Sequence, residues 1–403
     1  MGRASTAGAA WREVLPAFLR LGCTSFGGPA AHLACFRTEF VERRGWLDDH
    51  SYADLVAFCQ FLPGPASSQV GIGLGWLRAG LPGACAAWLG FTLPSALVMA
   101  GLGMVARDTG NVAAATWLHG LTVVTVAVIA QALWLMGHTL CPDRLRASIA
   151  VAAATAVVLM PGPAMQIVTL LICAALGWRW VTPTTRLPQG HVTQMPPRPV
   201  ALVLLGSYVL LLLALPLLAE RSESYAWQFF NSVYRAGALV FGGGHVVLSL
   251  LQVAVVPPGW LDDQLFLAGY GAAQALPGPI STFAAYLGAA SSQSPHGWAG
   301  ALLGTVGIFL PSFLLVLGGL PWWDATRRHP GLQSALMGIN AGVVGLLLAT
   351  FYAPVWTSAI RSAQDFAFAL IAFGLLAFWK TPPWLVVAGS ALGGAVFSAL
   401  GLA

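Results

Sequence analysis

Four short motifs occur twice along this chain, in the same order and at offsets of 214 to 217 residues. Phe26-Gly27-Gly28, followed by His32, returns as Phe241-Gly242-Gly243-Gly244-His245, and Gly45-Trp46-Leu47-Asp48-Asp49 returns as Gly259-Trp260-Leu261-Asp262-Asp263. Gln60-x-Leu62-Pro63-Gly64-Pro65 returns as Gln274-x-Leu276-Pro277-Gly278-Pro279, and Leu93-Pro94-Ser95 as Leu310-Pro311-Ser312. A duplicated apolar chain that places helix-breaking Gly and Pro at matching points of both copies reads as a transporter with its site at the repeat interface.

The medium follows from composition. Of 403 residues, 57% are hydrophobic and 8% charged, far below the roughly 25% charge of soluble domains. The chain is read as an integral membrane protein whose partner is the lipid bilayer. Apolar runs at 82–106, 112–137, 200–219, 297–320 and 383–402 are each long enough to cross, since about 20 apolar residues span the hydrocarbon. A β-barrel is excluded because lipid-facing and lumen-facing residues do not alternate. The net charge of +5 comes from positions flanking helices, so no nucleic-acid partner is expected. The first twenty residues hold Arg3, Arg12 and Glu13 but no apolar core before a small-residue cleavage site, so the start is read as mature and cytoplasmic. Cys23, Cys35, Cys59, Cys85, Cys141 and Cys173 all lie in the first copy and form no CxxC pair. They are expected to be buried small hydrophobes, with no metal site.

Hydropathy predicts thirteen spans, near 13–36, 53–76, 81–106, 112–138, 146–160, 163–179, 200–219, 228–256, 265–291, 297–320, 332–353, 365–379 and 383–402. Five prolines between 181 and 199 mark that stretch as a linker. Copy one is then 12–180 and copy two 228–402, with 200–219 an extra connecting span. An odd shift of seven spans reverses every helix, which makes the repeats inverted. With a cytoplasmic start, eleven Lys and Arg fall on inside segments and six on outside ones; merging the short pair 146–160 and 163–179 gives a weaker bias of ten to seven. The expected fold class is therefore all-α, with about thirteen transmembrane helices in two homologous, inverted repeats with broken helices.

Two basic residues escape that count. Arg20 and Arg235 each stand six residues before the Phe-Gly-Gly, inside predicted helices. A charge at membrane depth costs ~2.5–3.5 kcal/mol even on the lenient insertion scale, so it normally faces a cavity or a partner. Snorkelling to an interface is the plainer alternative, and Arg20 is only eight residues from Arg12. All fourteen acidic residues are expected in loops or at helix ends. Two buried arginines with no acid to neutralise them suit an anionic substrate better than a cation.

The breaks suit the same substrate. Gly27 and Gly28, Gly242 and Gly243, Gly64 and Gly278 should interrupt their helices. A half-helix starting at Pro65 or Pro279 aims N–H groups and a positive dipole end at whatever lies before it, with hydroxyls from Ser67, Ser68, Ser281 and Thr282 and amides from Gln60 and Gln274 alongside. Kinks used only for packing are the alternative. His32 and His245 are duplicated titratable groups beside the glycine turns; they either take protons for coupling or are satisfied by a backbone carbonyl. The Gly-Trp-Leu-Asp-Asp copies read as structural, with tryptophan at the headgroup layer and Asp49 or Asp263 capping the next helix.

Phe26-Gly27-Gly28-Pro29-Ala30-Ala31-His32, the segment from Phe40 to Asp49, Leu62-Pro63-Gly64-Pro65 and their partners at 241–245 and 276–279 resemble the chromate ion transporter family in its long, two-domain form. The resemblance implies a multi-pass bacterial inner-membrane protein that exports chromate and confers chromate resistance, with sulfate as a related oxyanion and with inverted halves. The N-terminus would be cytoplasmic and the C-terminus periplasmic, and homodimerisation is left open. Copy two departs by placing Gly244 directly before His245, so the half-sites differ in geometry. Arg20 and Arg235 would act as charge partners of the oxyanion, without a redox cofactor. Sulfate or other oxyanion uptake is one alternative. An intramembrane enzyme is a weaker one, since no Gly-x-Ser-x-Gly, His-Glu-x-x-His or Walker loop is found.

Overall fold

The computed structural model describes residues 10–108, 114–182, 194–241 and 247–399. Every described element is helical. Copy one comprises α1 (Trp11–Thr24), α2 (Gly28–Phe36) running into a π-helical stretch (Arg37–Arg43), α3 (Asp49–Phe61), α4 (Ala66–Asp108), α5 (Ala114–Leu140), α6 (Arg144–Leu159) and α7 (Pro163–Trp180). The connecting helix is α8 (Arg198–Arg221). Copy two comprises α9 (Tyr225–Leu239), α10 (Val247–Val255), α11 (Asp263–Ala275), a 3-10 turn (Ile280–Thr282) leading into α12 (Phe283–Ala290), α13 (Gly297–Gly319), α14 (Trp323–Thr326), α15 (Pro330–Thr350), α16 (Thr357–Ala359), α17 (Ala363–Ala377) and α18 (Pro383–Ala399).

The helices α4, α8, α13 and α15, and α5 from His119 onward, are long and apolar enough to cross a membrane. Large apolar side chains such as Leu135, Leu171, Leu210, Leu213 and Leu217 are exposed, which would be costly in water and is neutral against lipid tails. The chain is thus an all-helical, multi-pass membrane protein.

The two copies pack by the same contacts. In α1 the buried positions Val14, Ala17, Phe18 and Leu21 fall at helical spacing on one face. That face meets α4 where Gly22 opposes Gly90; a Cβ on Gly22 would stand 2.6 Å from the Gly90 carbonyl. The equivalents Gly237 and Gly307 bring α9 against α13, Gly237 meeting the Ile308 carbonyl and Gly307 the Val233 side chain. Small residues let helix backbones approach in a medium that supplies no hydrophobic drive between helices. Each copy also contains a tight hairpin. Chain 66–108 reverses at Ala79 and Gly80, which leave helical geometry, so that Gly75 meets Gly83, as Gly288 meets Gly300 in copy two.

The copies are also interlaced. The long helix α5 of copy one packs on α17 and α18 of copy two, while α15 of copy two packs on α6 and α7 of copy one. Gln131 Nε2 donates to the Leu376 carbonyl at 3.0 Å, and His119 meets Asp365 at 2.7 Å. The largest core draws Met99 and Ala100 from copy one together with Phe283 and Leu287 from copy two. Neither copy closes a core alone.

The predicted span 53–76 is interrupted, because the Pro63-Gly64 break ends α3 at Phe61 and the first arm of α4 begins at Ala66. The short pair 146–160 and 163–179 is two separate helices, α6 and α7. Helix capping falls one residue earlier than expected. Asp48 accepts from the Ser51 N–H at 2.9 Å and Asp262 from the Leu265 N–H at 2.7 Å, because the N-cap residue itself, in extended conformation, reaches the third N–H. The Ser51 N–H also holds the Asp48 carboxyl below the usual carboxylate range. Asp49 is left to pair with Arg37 at 2.7 Å, and Asp263 accepts from Gln252 at 3.3 Å. Of the cysteines, Cys59 and Cys173 are buried, whereas Cys23 is exposed.

Candidate functional site

The Leu-Pro-Gly-Pro turns are each built the same way. Leu62 and Leu276 are extended, the following prolines have no N–H to give, and Gly64 and Gly278 take φ of +131° and +94°, a region open to glycine. The chain then turns into a helical segment, with the Gln69 N–H donating to the Pro65 carbonyl at 3.0 Å and the Thr282 N–H to the Pro279 carbonyl at 3.0 Å.

Each turn docks on the break of the other copy. The Gly64 N–H donates to the Val240 carbonyl at 2.6 Å, and the Gly278 N–H donates to the Ser25 carbonyl at 3.0 Å. Ser25 and Val240 are equivalent residues, each directly before its Phe-Gly-Gly. The Leu-Pro-Ser motifs close the same crossings: a Cβ on Gly64 would lie 3.2 Å from Ser312 Oγ, and one on Gly278 would lie 2.9 Å from Ser95 Oγ. Three of the four duplicated motifs therefore meet at two reciprocal crossings between the repeats.

Hydroxyls cluster on the segments that cross. Ser25, Ser68, Thr92, Ser281 and Ser312 have buried hydroxyl oxygens with no hydrogen-bond partner among the described residues. Buried hydroxyls are normally satisfied, so these five are free to donate to a polar group brought to the crossings. Ser67 and Thr282 are also buried, the latter already donating to the Pro279 carbonyl at 2.9 Å. His32 is 1% exposed, with its ring beside the Ser25 backbone and edge-on to Phe91 at 5.2 Å.

A cavity of about 360 Å³ opens beside the Ser25–Gly278 crossing, lined by Gly27 and Gly28 of copy one and by Gln274 and Gly278 of copy two. Gln131 and Lys380 also line it. Gln60 is exposed and lies elsewhere. Gly242, Gly243 and His245 fall outside the described residues.

The structure does not bring Arg20 and Arg235 to this cavity. Arg20 is exposed and lines a separate space of about 310 Å³ with Thr38, Glu39 and Arg43. Arg235, half-buried, lines another of about 440 Å³ with Gln166, Gln228, Asn231 and Glu220.

One ionic feature differs from the sequence reading. Asp54, expected at a helix end, is 1% exposed within α3. It accepts from Arg327 Nη1 at 2.6 Å and Trp323 Nε1 at 3.0 Å, joining copy one to copy two. Hydropathy misses it because Asp54 follows the polar stretch Asp48–Tyr52, which looks like a loop until the N-cap at Asp48 is fixed.

Comparison with known proteins supplies the remaining context. The family model described as "Chromate transporter" matches residues 12–178 and 227–395. A "Chromate transport protein" of Cupriavidus metallidurans is 28% identical over 395 residues, covering 96% of this chain and 92% of that protein. One of the same name from Pseudomonas aeruginosa is 28% identical over 84% of this chain and 79% of its own. A "Probable chromate transport protein" of Synechococcus elongatus is 25% identical over 96% and 95%. No solved structure matches.

Proposed function

The chain belongs to the chromate transporter family, and on that premise we propose that it carries chromate out of the cytoplasm across a bacterial inner membrane and so confers chromate resistance. The observation that carries this reading is the reciprocal crossing of Gly64 on Val240 and Gly278 on Ser25. It joins broken helices of both copies and brings unpartnered buried hydroxyls to the interface between them, the place where repeat transporters hold their substrate. Ser67, Ser68, Ser281, Thr282 and Gln274 belong to the half-sites that accept the oxyanion in turn. His32 and His245 are the titratable side chains for any proton coupling.

Arg20 and Arg235, in cavities of their own, draw the anion toward the crossing from either side. The copies are inverted, with the N-terminus cytoplasmic and the C-terminus periplasmic. Export of a dianion is favoured by an inside-negative potential by about 4.6 kcal/mol per 100 mV, twice the ~2.3 kcal/mol for one charge. Sulfate has the same tetrahedral shape and charge, and it competes for the site from the same side.

Everted membrane vesicles containing the protein should accumulate radiolabelled chromate, recovered as Cr(VI). Accumulation no greater than in vesicles without the protein, or recovery as reduced chromium, would refute this reading.

A further inference from the structure

The chain contains one lysine, Lys380, in the turn between α17 and α18. With φ of +52° it is the one non-glycine residue among the described residues in the left-handed region. Helix ends that need this conformation usually take glycine, or else asparagine, because a Cβ there is strained. The turn is nevertheless fixed, since the Phe378 N–H donates to the Gly374 carbonyl at 2.9 Å and the Thr381 N–H to the Leu375 carbonyl at 3.0 Å. Backbone strain of this kind concentrates where a side chain must be placed for function.

That side chain is exposed and lines the cavity of about 360 Å³ whose walls include Gly27, Gly28, Gln274 and Gly278. It is the single charged residue among the cavity's described lining, which contains no carboxylate. The equivalent turn of copy one, Met160-Pro161-Gly162, carries no cation. The positive charge therefore belongs to one side of the pseudo-symmetric molecule.

We propose that Lys380 is the capture residue for the oxyanion at the mouth of this cavity, holding it before transfer to the unpartnered hydroxyls near the Ser25–Gly278 crossing. The proposal rests on the oxyanion-transport reading and adds a residue that decides affinity on one side. An ammonium on a flexible stem suits this step. It attracts a still-hydrated dianion as a point charge without demanding the fixed geometry of a guanidinium, and an exposed charge of this kind acts through a salt-screened field.

Purified protein in proteoliposomes, with Lys380→Gln, Lys380→Arg and Lys380→Gly beside the wild type, tests this by two readouts. These are potassium chromate flux against concentration at fixed voltage, and equilibrium binding of chromate to the detergent-solubilised protein. Lys380→Gln and Lys380→Gly should each raise KM and Kd roughly tenfold with little change in maximal flux, and should weaken the dependence of KM on ionic strength. Lys380→Arg should keep both. The glycine variant guards against misfolding, because it relieves the turn and should melt no lower than wild type. Unchanged KM, Kd and salt dependence in the glutamine and glycine variants would overturn the role of Lys380. Wild-type protein that binds chromate in a Lys380-dependent way yet carries none across would instead refute the transport reading and leave the binding site standing.

Discussion

Gly278 gives its backbone N–H to the carbonyl of Ser25 across 3.0 Å, in the other copy of the repeat. Its counterpart Gly64 does the same to Val240 at 2.6 Å, so the two halves hold each other by the segments that interrupt their helices. Any side chain at Gly278 must adopt φ of +94° and stand 2.9 Å from Ser95 Oγ and 3.1 Å from the Phe91 carbonyl. Gly278→Ala is expected to cost about 1–2 kcal/mol from the backbone alone and to lower chromate flux at least tenfold at equal abundance. Gly64→Ala should act alike, since its Cβ would meet the Gln69 side chain. Flux and melting temperature in detergent, measured together, check this; two alanine variants with wild-type flux would remove the crossings from the mechanism.

The pair Asp54 and Arg327 predicts a stability effect. Both side chains are buried, at 2% and 7% exposure, and removing one partner of a buried pair typically costs about 3–5 kcal/mol because a charge is stranded. Asp54→Leu should therefore lower the melting temperature strongly. The double change Asp54→Leu with Arg327→Leu should recover part of the loss, with Asp324, which also pairs with Arg327, left free. Strictly additive losses would show that the two residues are not coupled.

Inversion of the copies is tested by labelling. His50 and Gln264 follow equivalent Trp-Leu-Asp-Asp loops and both are exposed. Single cysteines placed there, in a background free of the six native ones, should react with an impermeant thiol reagent from opposite faces of the membrane. Labelling from one face would make the repeats parallel.

Arg20 and Arg235 distinguish steering from gripping. A guanidinium that grips an oxyanion needs its planar fork, whereas one that steers needs only charge. Their separate cavities favour steering, so Arg20→Lys and Arg235→Lys should keep most of the flux. The glutamine variants should lose flux most at low ionic strength, where steering is least screened. Lysine variants as poor as the glutamine ones would mean that the arginines hold the anion directly.

Much of this organisation is readable in the residues. The Leu-Pro-Gly-Pro repeats locate the breaks after α3 and α11, where Gly64 and Gly278 take positive φ, whereas the repeated Pro94 and Pro311 lie inside continuous helices; apolar length identifies the long membrane helices. What the motifs do to one another is not readable. That Gly278 lies on Ser25 of copy one and not on its own Val240 is a contact between segments about 250 residues apart, set by how α5 and α15 exchange places. Asp54 reads as a helix-end residue because burial of a carboxylate depends on a partner, Arg327, that only the fold supplies. Lys380 counted as one more flanking charge, since nothing local reveals a cavity built from Gly27, Gln274 and Gly278. Arg20 and Arg235 stood out by position, yet a residue's depth in a helix does not say which cavity it faces.

The most direct measurement is chromate flux through purified protein in proteoliposomes clamped at set voltages. Loaded with potassium chromate and held inside-negative, the vesicles should release Cr(VI) faster as the potential grows, with an equilibrium outside-to-inside ratio approaching roughly two-thousandfold per 100 mV for an uncoupled dianion. External sulfate at the same concentration should slow tracer chromate exchange. Release no faster than from protein-free vesicles at every voltage would contradict chromate export through the interface of the two repeats.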